Sequence, residues 1–414
     1  MTDSDIAWIR SQFPALGQQQ NGKPVIFLDA PGGTQVPQRV IDAMRDYFIC
    51  SNSNTHGAFI TSRRSDEVIA SAHAAMADLL GCSAAEVVFG PNMTTLTFAM
   101  SRALVREIRP GDEIVVTHLD HNANIAPWVA LEERGAVIRY ADIHPEDCTL
   151  DMESLRRQIN ERTRLVAVGF AANAVGTIND VAEIVQMAHK AGALAFIDAV
   201  HYTPHGPIDV HALDCDFLAC SSYKFFGPHC GVLYGKREHL ERLRPYKVRP
   251  APERIPDRWE TGTQNHEGQA GVLAALEYLA ELGRRASPQS VGRRAQLLAA
   301  YDAIRSYERR LSELLVRELL SIPGLTFYGL REPERFERRT PTVAIRIDGY
   351  TPRQLAEYLG NHGIFTMDGN YYALNLTERL GVEVTGGTLR IGLVHYNTTE
   401  EIGRLIAVLR ELKH

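Results

Sequence analysis

Lys224 stands in SSYKFFGPHCG, a Gly- and Pro-bounded turn directly after the apolar run DFLAC. Asp198, twenty-six residues upstream, closes the run ALAFID, and His201 follows one turn later. Thr94 and Thr95 follow VVFGPNM and open an apolar helical stretch; Ser221 and Ser222 precede the lysine. His121 sits in THLDHNANIAPW after EIVVT, and Asn173 follows RLVAVGF. Each has a plain use when taken alone: a helix cap, an exposed turn lysine, a surface histidine. Together they fall at one edge of a sheet, beyond the carboxyl ends of its strands, where such sheets bind ligands. The chemistry they could share is that of pyridoxal phosphate. That group needs a lysine amine for a Schiff base and a carboxylate against its protonated ring nitrogen. It also needs hydroxyls and backbone N–H groups at a helix N-terminus for its phosphate. Lys224 and Asp198 suit the first two tasks. Thr94, Thr95, Ser221 and Ser222 suit the third. His121 is placed to stack on the ring, and Asn173 to hydrogen-bond its phenolic oxygen.

Positioning these residues requires a particular architecture. Seven short apolar runs recur: EVVF (86–89), DEIVVT (112–117), AVIRY (136–140), RLVAVGF (164–170), ALAFID (193–198), DFLACS (216–221) and GVLYG (231–235). Their Val, Ile and Phe content, shortness and Gly, Asp or Pro borders predict strands buried on both faces. Amphipathic segments lie between them. In 179–192, Val181, Ile184, Val185 and Ala188 share a helical stripe, with Asn179 or Asp180 as cap and Gly192 as stop. In 151–160, Leu155 and Ile159 pair at i,i+4 behind a capping Asp151. The alternation predicts an α/β fold with a mostly parallel seven-stranded sheet sandwiched by helices. Beyond about residue 270 the texture changes. A helix over QAGVLAALEYLAELG, a polar helix over 286–321, and elements at 341–347, 351–363, 387–397 and 399–413 predict a smaller α+β unit, with REPERFERR (331–339) as a solvated loop. The expected division is a large domain over 20–275 and a small one over 276–414 with 1–19.

Composition narrows the class. The 414 residues are 45% hydrophobic and 23% charged with a net charge of −6, which excludes wholesale disorder and gives no nucleic-acid or polybasic membrane footprint. No apolar run approaches the roughly 18 residues of a membrane span. The six cysteines are scattered, with no C-x-x-C pair, and suit a reducing cytosol. The opening MTDSDIAWIRSQFPAL has no secretory pattern. A soluble cytoplasmic protein is expected. No G-x-G-x-x-G opens a helix, which argues against a nicotinamide dehydrogenase.

The segments HNANIAPW, NAVGTIND, FIDAVHYTPHGPIDVHALDCDF, SSYKFFGPHCGVLYG, TGTQNHEG and LRIGLVHYNT carry a more specific signal. With them the chain resembles the class V aminotransferase family of fold-type I pyridoxal phosphate enzymes, within it the cysteine desulfurase and selenocysteine lyase branch. The likeness runs from FLDAPGGTQVP (27–37) to the C-terminus. It implies that Lys224 holds the cofactor, Asp198 the pyridine nitrogen and Ser221 the phosphate. Lys224 and His121 would be the catalytic pair. His201 falls where a glutamine near the phenolic oxygen is frequent, and Tyr223 replaces a frequent histidine. Thr263 would reach the phosphate of a neighbouring subunit, implying a homodimer. Arg390 would clamp the α-carboxylate of a small amino-acid substrate, a task suited to its bidentate fork.

One part of the pattern is missing. A desulfurase takes sulfur onto a loop cysteine, and the corresponding stretch GIFTMDGNYYALNLTERLG (363–381) has none. Tyr372 stands at about the expected position, and every cysteine lies at or before residue 230. Cys230, nearest in sequence to Lys224, is expected to be a packed, inert thiol. Tyr371 and Tyr372 would shape the pocket or supply a proton. The expectation is therefore a lyase-type β-elimination at a C–S or C–Se bond. Epimerase or racemase, aminotransferase, and a non-catalytic binding protein of the same fold, for example a sulfur-transfer partner, are the alternatives.

Overall fold

All seven apolar runs form strands of one sheet in the computed structural model, which describes residues 1–412. They are β1 (Val87–Gly90), β2 (Glu113–Thr117), β3 (Val137–Ala141), β4 (Thr163–Gly169), β5 (Leu194–Asp198), β6 (Phe217–Ser221) and β7 (Gly231–Gly235). The spatial order is β1-β7-β6-β5-β4-β2-β3. Only β7 runs against its neighbours, antiparallel to both β6 and β1. Successive side chains alternate between two apolar layers. Val115, Val166, Val168, Ile197 and Leu218 enter one, while Ile114, Val116, Leu165, Phe196 and Phe217 enter the other. Burial on both faces is why these strands read as unbroken apolar runs rather than as alternating patterns.

The helices that cover the sheet follow their sequence signals. They begin with α1 (Gln38–Cys50), α2 (Ile60–Leu80), α3 (Met93–Leu104) and α4 (Val181–Lys190). Asp180 caps α4 by accepting the Glu183 N–H at 3.1 Å, and its expected stripe of four residues is buried. Each such Val or Ile contributes about 1.5–3 kcal/mol. Asp151 caps the shorter helix Met152–Gln158, but Ile159 is already extended, so the expected Leu155–Ile159 pair does not form on one helix.

Further along come α5 (His266–Ala286) and α6 (Arg293–Leu320). The polar helix expected from about 286 starts only at Arg293, because Gly292 adopts φ +84° and turns the chain. A four-stranded antiparallel sheet follows, from β8 (Leu325–Tyr328), β9 (Thr342–Ile347), β10 (Met367–Gly369) and β11 (Thr388–Gly392) in the order β8-β9-β11-β10. It is covered by α7 (Pro352–Asn361) and α8 (Thr399–Arg410); Lys413, expected in the last helix, lies outside the described residues. Its own core joins Val343, Ile345, Leu389 and Ile391 to Leu355, Ile402 and Leu405, and takes in Ile26 and Leu28 from far upstream.

The stretch 331–339 is mostly solvated, as expected, but it is not a plain loop. It forms a short 3-10 turn over Pro333–Arg338 that buries Phe336, and Arg339 is buried with its guanidinium donating to the carbonyls of Leu330, Thr340 and Thr342. A guanidinium satisfied by backbone oxygens needs no solvent, a pairing that charge content alone does not reveal. No described helix is long and apolar enough to cross a membrane.

Candidate active site

A cavity of about 660 Å³ opens at the carboxyl edge of the large sheet, closed over by the segment 367–372 and by β11. Lys224, Asp198, His201, His121, Asn173, Thr94, Ser221 and Arg390 all line it. Thr95 and Thr263 do not: both are exposed. Thr95 stands in the first helical turn with its N–H bound by Asn92 Oδ1 at 2.8 Å. Ser222 is also absent from the lining; its hydroxyl donates to the carbonyls of Pro228 and Cys230 and closes the lysine loop on itself.

The lysine loop is held from several sides. Phe226 has φ +70°, and its N–H meets Thr34 Oγ1 at 2.9 Å, while the Thr34 N–H meets the Tyr223 carbonyl at 3.0 Å. The Lys224 ammonium donates to the Pro31 carbonyl inside the cavity. Burial and the nearby Arg390 pull Lys224 down to about 7, against the pull of Asp198 and Asp29. Asp198 Oδ1 accepts the Val200 N–H at 2.9 Å, and burial raises its carboxyl to about 6. An amine whose proton is loosened by burial is what Schiff-base and proton-transfer chemistry needs.

The start of α3 forms an anion cup. Asn92 caps the helix, Thr94 lines the cavity, and Ser221 Oγ accepts the Met93 N–H at 3.1 Å. A Cβ on Gly231 would lie 2.3 Å from the Asn92 backbone, so β7 touches the helix start only because residue 231 has no side chain. Gly231→Ala is expected to push this turn aside. Overpacking of this kind costs about 1–3 kcal/mol, so thermal melting would show a lower Tm and pyridoxal phosphate titration a weaker binding. An unchanged Kd would mean that the cup does not bind phosphate.

His121 Nδ1 accepts the Ala123 N–H at 3.0 Å, which leaves the ring proton on Nε2; burial, with Lys224 and Arg390, holds the ring down at about 4. Its ring stacks on Tyr372 with centroids 5.4 Å apart. Arg390 is buried on β11 and bonds the Asn173 carbonyl at 3.0 Å. The Tyr371 ring lies 4.2 Å from its guanidinium carbon, and its Nε has no partner. Among the described residues no carboxylate ion-pairs with it. A buried guanidinium with unused donors is a receptor for an anion. Asn173 donates through Nδ2 to the Tyr371 carbonyl at 2.9 Å and keeps a buried, unpartnered Oδ1.

Three further residues matter that the sequence did not single out. Asn92 caps the cup helix. Asp120, buried and raised to about 7 by desolvation, accepts the Gly169 N–H at 2.9 Å and the Asn124 amide at 3.1 Å, tying the His121 segment to the end of β4. Asp29 keeps an unpartnered Oδ1 in reach of Arg390 and Lys224. The polar letters beside recognised residues, PNM and LDHN, were the available signal for the first two. Cys230 is buried, and its thiol is pushed up to about 12 by desolvation, as expected of an inert side chain.

A lysine on a turn after β6, a carboxylate ending β5 and a helix-start anion cup, all at one edge of a doubly wound sheet, define a pyridoxal phosphate enzyme. The chain belongs to the aminotransferase class-V family, whose sequence profile matches residues 26–405. It is 32% identical to a cysteine desulfurase of Enterobacter sp. (strain 638), over 98% of both chains. In structure it is similar to the apo cysteine desulfurase of Thermococcus onnurineus NA1 (TM-score 0.84, 26% identity, 94% of each chain). It is also similar to an S-sulfonic acid form of an Escherichia coli cysteine desulfurase (TM-score 0.83, 28% identity, 97% of each chain). It is a pyridoxal phosphate-dependent, cysteine desulfurase-like enzyme.

Proposed function

We propose that the enzyme cleaves the Cβ–S or Cβ–Se bond of a small α-amino acid by β-elimination and releases the chalcogenide directly. The observation that carries this reading is that no cysteine among the described residues lines the cavity, while its closing segment presents Tyr371 and Tyr372. The fit for pyridoxal phosphate rests on the buried Lys224, on Asp198 and on the α3 cup with Ser221 and Thr94. When bound, the cofactor supplies an electron sink for negative charge at Cα. Arg390 takes the substrate carboxylate through its free donors. Lys224, close to half neutral at pH 7, removes the Cα proton. The electron pair moves to form the Cα–Cβ double bond as sulfide leaves Cβ, and the released aminoacrylate hydrolyses to pyruvate and ammonia. Tyr371 is committed to Thr388 through its hydroxyl, which supports a packing role rather than proton donation.

Incubation with cysteine, selenocysteine or a cysteine S-conjugate is expected to yield pyruvate and ammonia in equal amounts. Alanine as the product would mean reductive sulfur abstraction, as a desulfurase performs. Solvent deuterium at Cα without product would mean epimerisation, and conversion of added 2-oxo acid would mean transamination. Any of the three defeats the elimination reading.

A homodimer belongs to the same proposal. Phe48 and Ile49 on α1 with Phe59 and Ile60 at the start of α2 are exposed, beside a groove lined by Ala43, Val68, Leu273 and Ala274. Exposed apolar residues gathered in this way mark an interface, and the exposed Thr263 is free to reach a second copy. Light scattering is expected to give twice the 46.1 kDa chain mass. The unpaired thiols support a reducing, cytoplasmic setting.

A further inference from the structure

His201 lines the cavity one turn after Asp198 and is buried. Its Nε2 lies 3.0 Å from Thr340 Oγ1, on the segment that leads into β9. That hydroxyl lies 3.4 Å from the Gly176 carbonyl and donates to it. A hydroxyl has one proton. When that proton points at the carbonyl, the Thr340 oxygen is left to accept from His201, and Nε2 then carries the imidazole hydrogen. Nδ1 then bears a lone pair, and it has no hydrogen-bond partner among the described residues.

The surroundings oppose a second proton on this ring. His205 faces it edge-on, with centroids 5.4 Å apart, and Arg390 and Lys224 act on it from the cavity. The buried carboxylate of Glu308 is engaged by His205 Nδ1 at 2.7 Å. Burial, together with His205, Arg390 and Lys224, pushes His201 well below its ordinary value.

We propose that Thr340 is a positioning residue: it fixes His201 as the Nε2–H tautomer, so that the ring offers the cavity a lone pair instead of a proton. The inference rests on this cavity being the cofactor site, and not on the reaction catalysed there. An acceptor at this position favours a ligand hydroxyl over an oxyanion. Thr340 thereby selects for a ligand group that donates a hydrogen bond to His201.

The test is ¹⁵N NMR of histidine-labelled, cofactor-free protein between about pH 6 and pH 8, with absorption spectra after loading with pyridoxal phosphate. Wild-type His201 is expected to stay neutral with its proton on Nε2 throughout. Thr340→Val, which keeps the shape and removes the acceptor, is expected to lose this tautomer preference and to shift the cofactor's absorption band. Thr340→Ser is expected to restore both. A wild-type proton on Nδ1 overturns the proposal, even if the valine variant fails to fold. So does a valine variant with wild-type tautomer and spectrum. Absence of lyase activity would leave the NMR result standing, which separates this inference from the proposed function.

Discussion

Lys224→Ala is expected to lower turnover by about 10²–10⁴-fold, the usual worth of a positioned acid–base group. It is also expected to abolish the visible absorption band of lysine-bound pyridoxal phosphate. The physical reason is the state of the amine. Lys224 is buried beside Arg390, and the lost hydration and that one neighbouring cation together bring it down to about 7. A substantial share of it is therefore free base at a pH where an exposed lysine is almost wholly charged. The folded pKa is below the unfolded one, so protonated Lys224 weighs against folding at neutral pH, and its removal is not expected to lower Tm. Absorption spectra, thermal melts and a pyruvate assay on one preparation check all three statements. A variant that keeps both band and turnover would remove Lys224 from the mechanism.

Arg390→Gln is expected to raise KM far more than it lowers kcat. Losing one side of a buried charge contact costs about 2–5 kcal/mol, or roughly 30- to 5,000-fold in kcat/KM. Arg390→Lys is expected to recover little, because a point charge cannot replace a planar fork. The fork is already partly placed: one nitrogen on the Asn173 carbonyl, the guanidinium plane against Tyr371, and Nε unused. Burial lowers its pKa to about 10, still far above neutrality, so the charge is present at any working pH. Steady-state kinetics with the amino acid and with its decarboxylated amine analogue would decide the matter. If both substrates lose equally, Arg390 does not bind the carboxylate.

Much of this molecule was legible before its fold was known. The seven strands of the large sheet were each readable, since burial on both faces leaves an unbroken apolar run with sharp polar borders. Asp198, Ser221 and Lys224 could be placed at one edge because each directly follows such a run. Arg390 required the family likeness, since an arginine within a strand pattern has no local signal of its own. Residue type and adjacency misled at single positions. The charge-rich 331–339 was expected in solvent, but Arg339 finds backbone carbonyls and Phe336 finds the second core. Thr95 was grouped with Thr94 by adjacency, yet neighbouring residues on a helix lie about 100° apart, and only Thr94 meets the cavity.

By itself, the sequence determined the class of chemistry and the scaffold, because strand burial, helix caps and a lysine after a strand are local properties. Only the tertiary structure decided which hydroxyls form the cup and that the closing segment brings Tyr371 against Arg390. It also decided that Asp120, beside His121, binds Gly169 from 49 residues away, and that Thr340 meets His201 from 139 residues away. Those contacts join parts of the chain whose separation no periodicity records, and burial away from water is what sets the charge of each group there.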